Sequence, residues 1–86
     1  MDKKKYSFEE IHGSKYDISV KWPRTLQNAS FIVVRNFDTL TPYVWNSDGW
    51  WESTNSLFLE VGGSTGEIYD NYTLEEARAI RPEAFR

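Results

Sequence analysis

From Lys15 to Trp22 the chain alternates without a break. Tyr16, Ile18, Val20 and Trp22 fall on one side, and Lys15, Asp17, Ser19 and Lys21 on the other. A period of two marks a strand with one buried and one wet face. Pro23 ends it, and residues 24–28 lead to a second apolar run, Ala29 to Phe37. Here Ile32 and Val34 share one face while Phe31, Val33 and Phe37 share the other. Apolar residues on both faces place this strand at the centre of a sheet, covered on each side at least in part.

Pro42 to Glu52 reads as two short aromatic strands around Asn46-Ser47-Asp48-Gly49. Asp-Gly within a four-residue loop is a hairpin signal, because Gly tolerates positive φ. The register implied sets Trp45 opposite Trp50 and Val44 opposite Trp51. The adjacent Trp50 and Trp51 must then point to opposite faces, one into the core and the other to solvent or a partner. Ser56 to Val61 alternates again, with Leu57, Leu59 and Val61 against Phe58 and Glu60, and predicts another strand. Glycine-rich residues 62–66 turn the chain, and Glu67 to Tyr72 predicts the last strand.

Both ends carry helix-start signals. Ser7 with Glu10 three residues on, and Thr73 with Glu76, each form a capping-box pattern, stopped by Gly13 and Pro82 respectively. Connections of three to six residues favour antiparallel pairing over crossovers. Residues 1–86 are thus expected to form one α+β domain: a curved antiparallel sheet of about five short strands in a meander, with short N- and C-terminal helices. A small barrel of SH3 or OB type is the rival.

Charge changes the picture. Residues 36–77 contain eight carboxylates, no lysine or arginine and three of the four tryptophans, while both flanking segments are net positive. Such an acidic, aromatic middle suits a basic partner surface, although antiparallel sheets also carry acids on a wet face and tryptophans also fill small cores. Fourteen aromatics in 86 residues exceed what one small interior is expected to hold, leaving some for an interface.

Candidate chemistry is thin. There is no cysteine, and His12 is the sole histidine, placed beside Gly13 at a helix end. No carboxylates show calcium-loop spacing. The glycine run lacks the lysine and following helix of a phosphate loop. No catalytic, cofactor-binding or metal-binding residue is therefore assigned, and no cofactor is expected. The charged N-terminus lacks the apolar stretch of a secretory signal, and the longest apolar run is too short to span a bilayer, so a cytoplasmic location is expected.

The function expected is a small non-enzymatic protein-binding module or inhibitor that engages a larger, basic, possibly nucleic-acid-binding protein. Phage inhibitors of host defence enzymes offer a class-level analogy. The candidate partner-binding residues are Tyr43, Trp45, Asp48, Trp50, Trp51, Glu52, Glu60, Glu67 and Tyr69. Two alternatives stand beside it: a small barrel that binds single-stranded nucleic acid through the basic ends, and a structural subunit of an assembly.

Overall fold

The computed structural model describes residues 4–46 and 48–86. The elements run β1 (Lys5–Tyr6), α1 (Phe8–Ile11), β2 (Tyr16–Lys21), β3 (Ile32–Asn36), β4 (Thr41–Trp45), β5 (Trp50–Glu52), α2 (Asn55–Val61), β6 (Tyr69–Tyr72) and α3 (Leu74–Ile80). Six strands form one antiparallel sheet in the order β1-β5-β4-β3-β2-β6. The fold is the expected α+β sheet with short helices, with six strands in place of about five. Strands β2 to β5 are a meander, and β1 and β6 are added at its two edges. The sheet is open, so the barrel alternative does not hold.

Its central strand is β3, as the apolar residues on both its faces require. Ile32 and Val34 pack on one face with Ile18, Val20, Trp45 and Trp50, beneath α1, α3 and the C-terminal Ala84–Phe85. Phe8, Trp50 and Phe85 meet there with ring centroids 5.0–6.2 Å apart. Burial of these aromatics supplies most of the hydrophobic stabilisation of so small a chain. The Trp50 Nε1–H donates to the Ala84 carbonyl at 2.7 Å, which fastens the C-terminal segment over the core.

The capping signals hold at both ends. The Glu10 carboxylate accepts from the Ser7 N–H at 2.9 Å. At α3, Thr73 Oγ1 accepts from the Glu76 N–H and the Glu76 carboxylate accepts from the Thr73 N–H, at 3.1 and 2.9 Å.

One element differs in kind. Residues 56–61, expected as a strand, belong to helix α2. Leu57, Leu59 and Val61 alternate, but Leu57, Phe58 and Val61 also satisfy helical spacing, and seven residues are too few for periodicity to arbitrate. Thr54 at the N-cap and Gly62 at the C-cap bound the helix, and Leu and Glu favour it. Leu59, placed inward by the strand pattern, is 59% exposed. Helix α2 crosses the second face of the sheet, the one assigned to solvent on β2, so Ser19 is fully buried there and donates to Asn71 Oδ1 at 2.9 Å.

Candidate functional site

The aromatic hairpin forms in the expected register, Trp45 opposite Trp50 and Val44 opposite Trp51. The face it presents is not the expected one. Trp50 is 1% and Trp45 6% exposed, both within the main core, and the Arg81 guanidinium lies 5.3 Å from the Trp45 ring. Tyr43 shares their side and packs edge-on against Tyr6 at 5.7 Å. Burial first, then the Glu52 charge and Tyr6, raises its phenol above the ordinary tyrosine value. Burial therefore takes Trp45 and Trp50 off the candidate surface as direct contacts. Only Trp51 projects from the opposite face, half-buried.

The carboxylates are also less isolated than the sequence suggests. Lys5 reaches Asp48 at 3.6 Å and Lys21 reaches Glu67 at 3.3 Å. Glu60 accepts the Tyr69 hydroxyl proton. Burial, that hydrogen bond and the nearby Glu60 and Glu67 charges push the Tyr69 phenol well above its usual value. Glu52 is exposed at the end of β5. Glu60, Glu67 and Tyr69 thus come together at the β6 end of the sheet. Trp51 and Asp48 lie at the β5 end, three strands or about 19 Å away at the usual strand spacing. The nine candidates form two clusters and a buried group instead of one continuous patch.

A different surface stands out. Residues 37–40 join β3 to β4, and Asn36 builds the turn: its Oδ1 accepts from the Asp38 N–H at 2.8 Å and the Thr39 N–H at 3.2 Å. Its amide nitrogen donates to the Ile11 carbonyl at 2.8 Å, so this buried side chain has partners on both sides. The Asp38 carboxylate closes the turn against Ser14, accepting from the backbone N–H at 2.7 Å and from the hydroxyl at 2.9 Å. These bonds hold its carboxyl below the ordinary aspartate value.

At the end of the turn Leu40 adopts φ +57°. For an L-residue with a full side chain the left-handed region costs roughly 1–2 kcal/mol, and Gly or Asn is the usual occupant. Leu40 is also 62% exposed. The strain holds an apolar side chain in water.

Across from it lies the first half of α2. Thr39, Leu40, Thr41, Asn55, Phe58 and Leu59 line a groove of about 360 Å³. Arg35 fixes the helix wall. It donates to the Phe58 carbonyl at 3.2 Å, pairs with Asp17, and stacks on Phe37 and Phe58 at 4.9 and 5.0 Å. No lysine or arginine lines the groove, and the charged residues next to its lining in sequence, Asp38 and Glu60, are acidic.

None of the groove residues was a sequence candidate. The available signal was Leu40, an apolar residue standing among the turn residues between two strands. Among the described residues no group of three or more metal-ligating side chains occurs, and no helix is long and apolar enough to cross a membrane. No protein-family model, curated protein or solved structure is significantly similar to the chain.

Proposed function

We propose that the chain is a non-enzymatic protein-binding module, acting in the cytoplasm, that seats a basic, amphipathic helical segment of a larger protein in the groove between the β3–β4 turn and α2. The observation that carries this reading is Leu40, exposed and held at positive φ where Asn or Gly would relieve the strain. Strain retained at one exposed apolar residue points to a use for that residue. Leu40 and Leu59 offer the apolar anchors that such a helix needs. Asp38 and Glu60 beside the groove, and the acidic balance of residues 36–77, favour cations at the helix flanks. By covering a basic segment the module acts as an inhibitor. A nucleic-acid-binding enzyme of host defence, countered by a phage protein, is the class of target with such a surface.

The test is a titration of the isotopically labelled chain with a designed Leu/Lys amphipathic helix, and with the same helix carrying Glu in place of Lys. The Leu/Lys probe is expected to shift the Leu40 and Leu59 methyl resonances. Leu59→Ala should weaken it by about 2 kcal/mol. Equal binding of the Glu probe, or shifts confined to other surfaces, overturns the reading.

A further inference from the structure

The sheet has two edges that differ in kind. At one, β1 is two residues long and follows Lys4, with Lys5 inside it. Shortness and lysine are the usual means of blunting an edge. At the other, β6 has four residues, and the ladder runs on past it: the Trp22 N–H donates to the Ile68 carbonyl at 2.8 Å.

That bond fixes the phase of the ladder. Antiparallel pairs alternate between hydrogen-bonded and non-bonded, so Asp70 and Tyr72, like Ile68, turn their backbone groups toward β2. Tyr69 and Asn71 turn theirs outward, and no hydrogen bond among the described residues engages those outward groups. At the same edge Trp22 and Ile68 sit opposite one another, each 59% exposed.

We propose that the outer edge of β6 binds an extended, basic peptide segment of a partner protein by strand addition, at a site separate from the α2 groove. The outward N–H and C=O groups of Tyr69 and Asn71 supply the backbone bonds. Trp22 and Ile68 give an apolar contact for one side chain of the added strand. Asp70, exposed on the same face, pairs with a cation two residues along, because same-face residues recur every second position.

Charge decides the occupant. Residues 67–76 contain Glu67, Asp70, Glu75 and Glu76 and no lysine or arginine. A second copy of β6 would bring like charges together across the new ladder, which destabilises pairing, whereas a basic strand gains from the same residues. Asp70 therefore opposes self-association while admitting a cationic strand.

The experiment is amide hydrogen exchange on the full chain with acetyl-Lys-Val-Lys-Val-Lys-Val-amide as probe. Two controls accompany it: the Glu-Val counterpart, and the Lys-Val peptide N-methylated at the residues that would pair with β6. At saturating Lys-Val peptide the Tyr69 and Asn71 amides should exchange about tenfold more slowly, with neither control giving protection. Asp70→Lys should reverse the preference, so that the Glu-Val peptide protects instead. Leu40→Asn, which alters only the groove, should leave the protection intact, so the two sites fail or stand independently. Protection by the N-methylated peptide would show charge attraction without strand pairing and overturn the proposal. So would unchanged exchange at Tyr69 and Asn71 in excess Lys-Val peptide.

Discussion

Arg35 and Asp17 lie opposite one another on β3 and β2, and their side chains form a two-pronged ion pair only 13% and 17% exposed. The same guanidinium donates to the Phe58 carbonyl, so one cation ties both a strand and helix α2 to the second face of the sheet. A pair this sheltered is not an ordinary surface salt bridge.

Arg35→Met should accordingly cost about 2–4 kcal/mol in urea denaturation, since it leaves the Asp17 carboxylate beneath the helix without its cation. The double change Arg35→Met with Asp17→Leu should recover most of the loss. A single-mutant cost under about 0.5 kcal/mol would place the pair in the solvent-screened class and leave α2 held by apolar contacts alone.

Leu40→Asn separates stability from binding. Asn adopts the left-handed region readily, so the variant should be more stable than the parent by about 1 kcal/mol. It should also lose affinity for the Leu/Lys helix. The opposed signs matter: a residue that served only the fold would not weaken folding by its presence. Denaturation and titration of the same sample read both, and a destabilised variant would contradict the assignment.

The two adjacent tryptophans of β5 should behave differently. Trp50→Ala removes a buried ring and the bond to the Ala84 carbonyl, and should cost about 3–5 kcal/mol. Trp51→Ala, on the half-covered opposite face, should cost no more than about 1–2 kcal/mol. Comparable losses at both positions would mean that the second face is packed as tightly as the first.

Much of the sheet was legible because β2, β3 and the Trp hairpin carry their burial pattern locally, and a strand's period of two admits one register that buries the apolar set. Helix α2 was not, since its fate is decided by what it packs on. The Arg35–Asp17 pair joins residues eighteen positions apart, and only the fold brings that cation beneath Phe58. The candidate site suffered from the same non-locality. Charge was segregated along the chain, yet Lys5 and Lys21 return to Asp48 and Glu67 in space. Leu40 was hidden because a backbone angle, not its residue type, makes it unusual.

The acid limb of stability should report on the turn that carries Leu40. The Ser14 N–H and hydroxyl favour ionised Asp38 in the folded chain and are lost on unfolding, so the folded group titrates below the ordinary value of 3.8. A lowered folded value means that the stabilisation is complete above the unfolded value and drains away as pH falls through the folded one. The clamp is sterically specified as well. Gly13 has φ +68°, and a Cβ there would lie 2.8 Å from the Asp38 carboxylate. Between about pH 5 and pH 2 the parent chain should therefore lose stability more steeply than Asp38→Asn, which keeps an acceptor oxygen but has no proton to bind. The midpoint of urea denaturation across that range measures the difference. Parallel acid limbs would show that Asp38 bonds Ser14 equally well when protonated, and the turn would then owe its shape to Asn36 alone.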